Sequence, residues 1–185
     1  MKNIADSLVE LKEYRINMFQ SHIEFVLSNY LEKWVDNLKS YNSNKISDSC
    51  CLIVDDRPNK ITRFSILNTL FMTRLSMNIY IYTTIKSAQS MRDLFSDLKE
   101  FVHIIELNIN NKELKSINIP FYNALFKSSS FWKNIPTEKV LVFQTDSVLI
   151  EPIDISLFSY DYLGAPFVQE KHYSTYFPEF SLDLL

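Results

Sequence analysis

Val140-Leu141-Val142-Phe143-Gln144-Thr145-Asp146-Ser147 places four apolar residues directly before a polar turn that carries a carboxylate. A short apolar run bounded by polar residues reads as a strand buried on both faces, as found in parallel sheets. Three runs of the same kind precede it. Cys51-Leu52-Ile53-Val54 stops at Asp55-Asp56-Arg57-Pro58, Ile79-Tyr80-Ile81-Tyr82 lies within 78–82, and Val102-His103-Ile104-Ile105-Glu106-Leu107 follows. Between them the apolar rhythm becomes helical, over Ile61 to Met72 (Phe64, Ile66, Leu67, Phe71), Ala88 to Lys99 (Met91, Leu94, Phe95, Leu98) and Pro120 to Trp132. Strands alternating with helices predict an α/β domain, a mainly parallel sheet covered by helices on both sides. Such sheets bind ligands at the carboxyl ends of their strands, here Asp55 to Arg57, Tyr82 to Thr84, Glu106 to Asn108 and Gln144 to Ser147.

Upstream, Phe19, Ile23, Val26, Leu27, Tyr30, Leu31, Trp34 and Leu38 recur at intervals of three and four, the signature of an amphipathic helix. It begins near Asp6 and ends before the polar run Ser40-Tyr41-Asn42-Ser43-Asn44. The expected organisation is a helical extension and linker over 1–45 and an α/β domain over 46–185. The stripe packs on that domain or on a partner chain, which makes the N-terminal helix a possible oligomerisation element.

Composition excludes several functions. Apolar residues at 46% and charged residues at 22% of 185 suit a globular chain. The net charge of -3, without a dense Lys/Arg cluster, argues against nucleic-acid binding. Gly164 is the single glycine, where average usage is about 7%. Phosphate-cradling loops and the hydrolase nucleophile elbow need several glycines, so none of these can be built. Cys50 and Cys51 are adjacent and read as free buried thiols, because bridging neighbours strains the disulfide. The three histidines, His22, His103 and His172, share no metal-ligand spacing. No secretory leader or membrane span is expected, which points to a cytoplasmic setting.

Asp146 follows the fourth strand closely enough for its carboxylate to emerge at the binding edge. Mg2+ and Mn2+ use one or two protein carboxylates, with substrate phosphates completing their shell. The surrounding words add a family likeness. Phe131-Trp132, then Ile135-Pro136, then Val140 to Leu149 with its Gln144-Thr145-Asp146, then Tyr160-Asp161-Tyr162-Leu163-Gly164-Ala165-Pro166-Phe167, resemble an uncharacterised glycosyltransferase-like family. Val54-Asp55-Asp56-Arg57 is similar to that family's first strand, and Tyr122-Asn123 to the start of its helix before the QTD strand.

The resemblance implies a GT-A fold, whose Rossmann-like sheet binds a nucleotide-diphosphate sugar, and transfer of that sugar to an acceptor the sequence does not identify. It places Asp146 at the last acidic position of the metal-binding DxD motif and Gln144, an uncharged amide, at the first. It implies Mn2+ or Mg2+ at Asp146, and donor contacts from Asp55, Arg57, Asn123, Gln144, Asp146 and the Gly164 corner. Ser147 either adds a hydroxyl there or caps its own backbone. Past Phe167 the family continues through a glycine-rich GNGG segment that this chain lacks. The expectation is therefore a donor-binding domain truncated on its acceptor side. The alternative is a catalytically incomplete α/β module that binds or assembles through its N-terminal helix.

Overall fold

The computed structural model describes residues 4–38, 48–107, 114 and 116–163, with side chains from Val9 onward. Among these described residues four strands form one sheet: β1 (Ser49–Val54), β2 (Asn78–Thr83), β3 (Val102–Glu106) and β4 (Lys139–Val142). Every pairing is parallel and the order is β3-β2-β1-β4. This is the expected α/β class, a Rossmann-like parallel sheet. From β1 the chain steps outward to β2 and β3, then crosses back to lay β4 on the other side of β1. The direction of winding thus reverses between β1 and β4, the position at which open parallel sheets form a ligand crevice.

β1 is buried along its whole length, as a central strand of a covered sheet must be. Cys50, Leu52 and Val54 face one layer, formed with Tyr82, Leu107, Phe131 and Ile135 and with Phe121, Leu125 and Phe126 packed against them. Cys51 and Ile53 point to the opposite layer by the period-two rule, where α3 (Lys60–Met72) buries Phe64, Leu67 and Leu70. α4 (Ile85–Leu94) lies against β3. Both cysteines are free and buried. Burial pushes the Cys50 thiol up, partly offset by the Thr137 hydroxyl, and it pushes Cys51 up further.

β4 departs from the expectation of a fully buried strand. Among the described residues it is the sheet edge, half-buried, with Val142 exposed. Four apolar residues in a row report that both faces meet apolar neighbours, but not whether a strand lies on each side. The third helical stretch is also two helices, α5 (Ile119–Phe126) and α6 (Ser129–Lys133). The break falls at Ser128, whose hydroxyl accepts from the Phe131 amide at 3.4 Å and starts a new helix. Trp132 Nε1 donates to the Phe126 carbonyl at 2.7 Å, satisfying an acceptor that the end of α5 leaves open.

The N-terminal helix is α1 (Ile4–Val26), continued by a widened turn, Leu27–Leu31, into α2 (Glu32–Val35). Ile23, Leu27 and Leu31 are buried at a spacing of four. An α-helix turns 400° in four residues, so such a stripe drifts about 40° per step. A turn with more residues per revolution removes that drift and keeps the stripe on α3. Compact packing accordingly groups Met1–Ile153 as one unit and Asp154–Leu185 as a second. In the second, Asp154 caps a short 3-10 turn, Ile155–Ser159, through the Ser156 amide. No described helix is long and apolar enough to cross a membrane.

α3 ends without glycine. Arg74 and Leu75 take left-handed φ values of 53° and 57°, and the Leu75 amide returns to the Leu70 carbonyl at 2.9 Å. The fully buried Leu75 side chain holds this strained pair in place.

Arg63 on α3 ties three elements together. Its guanidinium grips both Glu32 oxygens at 2.6 and 2.7 Å, the Leu94 carbonyl at 2.7 Å, and Asp97 at 2.8 Å. For Asp97, burial opposes ionisation, but the hydrogen bond and charge of Arg63 outweigh it and lower its pKa. A lowered folded pKa makes the stabilisation complete above the ordinary carboxyl range and removes it as pH falls through the folded value. Asp97→Asn should therefore flatten the acid limb: its urea midpoint should fall less than that of the wild type between about pH 5 and pH 3.

Candidate functional site

A cleft of about 360 Å³ opens at the carboxyl ends of β1 and β4. Its floor is Ile53, Val54, Asp55 and Arg57; one wall is Gln144, Thr145 and Asp146, the other Ile117, Asn118, Ile119, Tyr122 and Asn123. Asp55, Arg57, Asn123, Gln144 and Asp146, five residues singled out in the sequence, thus border one cavity. The Gly164 corner lies outside the described residues.

Backbone alternation explains the β4 wall. Gln144 and Asp146 are exposed towards the cleft while Thr145 between them is buried. Ser147 closes the turn behind them: its hydroxyl accepts from the Gln144 amide at 3.1 Å and donates to the Gln144 carbonyl at 2.7 Å. Of the two roles considered for Ser147, it fills the backbone cap. Gln144 Nε2 donates to the Tyr122 hydroxyl at 3.2 Å, bridging the two walls. The Tyr122 ring is stacked on Phe126 with centroids 4.5 Å apart.

The floor is an ion pair. The Asp55 side chain is only 4% exposed, and both its oxygens are engaged. Oδ1 accepts from the Arg57 backbone amide at 2.7 Å and from Arg57 Nε at 3.2 Å, and Oδ2 accepts from Nη2 at 2.6 Å. Nη2 also donates to Thr145 Oγ1 at 2.9 Å, which latches the β4 turn to the end of β1. Ser65 on α3 donates to the Thr145 carbonyl at 3.1 Å from below. Hydrogen bonding to Asp55 holds the Arg57 pKa up, and the charges of Asp55, Asp56 and Asp146 add to it. The fork that sequence reasoning offers to a phosphate therefore faces Asp55, although the Arg57 side chain remains 64% exposed at the mouth.

Asp56, adjacent to the floor, braces the far wall: its Oδ2 accepts from the Ile117 amide at 2.8 Å, and its carbonyl accepts from Ser87 at 2.7 Å. Sequence reasoning gave neither Asp56 nor Thr145 a role. The signal for Thr145 was present, since an inward side chain between two outward ones must find a buried polar partner.

The donor set bears on a divalent cation. Asp55 is committed to Arg57 and Asp56 to a backbone amide, which leaves Asp146 as the exposed carboxylate of the cleft wall. Among the described residues no three His, Cys, Asp or Glu side chains converge. An all-protein cage does not fit here. A cation held by one carboxylate and completed by phosphate oxygens does fit Asp146.

Residues 104–180 match a family described as a protein of unknown function, DUF5672. The match takes in α5, α6, β4 and both cleft walls, and stops short of β1 with Asp55 and Arg57. No curated protein and no solved structure matches the chain.

The latch makes a quantitative prediction. Thr145→Val should cost about 1 kcal/mol in urea unfolding and Asp55→Ala about 2 kcal/mol, the larger loss reflecting a charged hydrogen-bonding group. Because both substitutions act on the same Arg57 nitrogen, the double variant should lose measurably less than the sum. Strict additivity would show that the three side chains do not work as a unit.

Proposed function

We propose that this cleft binds a nucleoside-diphosphate sugar and that the chain is a glycosyltransferase-like domain of GT-A type, acting on an acceptor not identified by its residues. The observation that carries the reading is the convergence of Asp55, Arg57, Asn123, Gln144 and Asp146 on one cavity at the reversal of strand order. In open parallel sheets that is where nucleotides bind. The family likeness of the QTD strand and the FW pair supplies the sugar and the transfer.

In this reading each wall has a task. Asp146 is the protein carboxylate for a Mg2+ or Mn2+ that travels with the diphosphate, a cation that would neutralise charge on the leaving group. Arg57 sets a guanidinium at the mouth of the cleft. Gln144 and Asn123 offer amides from opposite walls, suited to the hydroxyls of a sugar or ribose. Thr145 and Ser147 hold Gln144 and Asp146 in place through their hydrogen bonds to Arg57 and to the Gln144 backbone.

A second reading, an α/β module without catalysis that assembles through its N-terminal helix, is supported by the large apolar side chains that α1 leaves exposed.

Thermal unfolding separates these readings. With a uridine or guanosine diphosphate sugar at about a hundred times its Kd and Mn2+ present, the Tm should rise by roughly 5 °C or more. Asp146→Ala should abolish the rise while leaving the unliganded Tm nearly unchanged, because Asp146 is exposed. A wild-type protein whose Tm ignores donor and metal together would sink the donor-site proposal.

A further inference from the structure

We propose, resting on the donor-site reading above, that the Tyr122 hydroxyl donates a hydrogen bond to a diphosphate oxygen, and that Gln144 keeps its proton free to do so. Gln144 Nε2 lies 3.2 Å from Tyr122 Oη. An amide nitrogen has hydrogens to give but no lone pair to accept with, so in this pair the amide donates and the phenol accepts. A phenol oxygen that accepts still has its own O–H to give. Among the described residues that O–H is donated to no partner, and Tyr122 lines the cleft from the α5 wall. The ring is stacked on Phe126, which fixes where the hydroxyl sits before any ligand arrives.

The backbone donors around it are largely spent. The Ile117 amide is held by Asp56, the Phe121 amide by the Asn118 side chain and the Tyr122 amide by the Asn118 carbonyl, and Pro120 has no N–H. On the β4 wall the Gln144 amide goes to Ser147 Oγ, and the Ser147 amide returns to the Gln144 carbonyl. Arg57 Nε and Nη2 are taken up by Asp55 and Thr145. A diphosphate bridged to Asp146 by a cation has further oxygens that need donors. The Tyr122 O–H can turn to one of them without breaking any bond of either wall.

The pair also accounts for an amide at position 144. A carboxylate there has nothing to donate, so it would accept the Tyr122 O–H and leave only the lone pairs of the phenol oxygen for a ligand. Phosphate oxygens would then face an acceptor, with a second negative charge beside that of Asp146. Glutamine donates to the phenol and leaves the phenol proton available. Its own carbonyl oxygen stays free to accept from a hydroxyl of the ligand.

Calorimetric titration of the full chain, in Mn2+, with uridine diphosphate and separately with guanosine diphosphate tests this. Tyr122→Phe removes the hydroxyl and keeps the ring on Phe126. Its unliganded Tm should stay near that of the wild type, while the Kd of the nucleotide that binds should rise roughly tenfold. Gln144→Glu should also weaken binding, and in that background Tyr122→Phe should cost no further affinity, because the phenol proton is already given to the carboxylate. A Tyr122→Phe variant that binds like the wild type overturns the proposal and leaves the donor site standing. So does a Gln144→Glu variant that binds tighter than the wild type, which would make this side chain an oxygen ligand of the cation. An equal Tyr122→Phe loss in both backgrounds overturns it too, since the effect would then be one of wall shape. A wild type that binds neither nucleotide overturns this proposal and the donor-site reading together.

Discussion

A carboxylate buried as deeply as Asp55 must be paired, or it costs several kcal/mol in lost hydration. The pairing it finds organises the cleft. Asp55 draws the Arg57 guanidinium back over the end of β1, and Arg57 reaches onward to Thr145, so the β4 turn is fixed by a charge that lies in β1's territory. Asp56, the next residue, turns the other way and holds the Ile117 amide at the foot of α5. Two neighbouring carboxylates at the end of one central strand therefore hold the two opposite walls. Strand alternation makes this possible, because successive residues leaving a strand point to opposite sides.

The near absence of glycine gives the same theme a wider reach. Helix starts rely on side chains: Asn59 caps α3, Thr84 caps α4, Asn118 caps α5 and Ser128 caps α6. The end of α3 accepts left-handed geometry at Arg74 and Leu75, where glycine would be strain-free. A chain that builds its turns this way has no glycine loop to wrap around a phosphate. If the cleft takes the diphosphate proposed for it, side chains such as Arg57 and a cation held at Asp146 would replace the glycine loop in meeting its charge.

Much of this architecture was legible in the residues. The apolar runs ending at Val54, Tyr82 and Phe143 mark three strands, the run from Val102 a fourth, and the helical spacing of 61–72 and 88–99 marks what lies between them. Parallel pairing followed from their alternation, and the binding edge from the polar residues after each run. What escaped were properties set by non-local partners. Val140 to Phe143 looks the same in an edge strand as in a central one. Arg57 reads equally as a phosphate fork or an ion pair until Asp55 is found beneath it. The widened turn at Leu27–Leu31 is invisible to a fixed period, because it exists to correct that period. The break at Ser128 was written in the serine run 128–130, a capping signal outweighed by the apolar residues around it.

Charge within the cleft connects these observations to its chemistry. Asp55 and Arg57 neutralise one another across 2.6 Å, so the charge left facing a ligand on the β4 wall is that of Asp146. A diphosphate approaching alone would meet like charge there. Two arrangements relieve it. A cation shared between Asp146 and the phosphates converts the repulsion into a bridge, or Arg57 swings from Asp55 to the phosphates. The second leaves a carboxylate that is 4% exposed without its partner and also undoes the Thr145 latch that positions Asp146. The first disturbs nothing already bonded. In the proposed reading, the ion pair on the floor would favour a diphosphate that arrives with its own cation, because Arg57 is already holding Asp55 and Thr145.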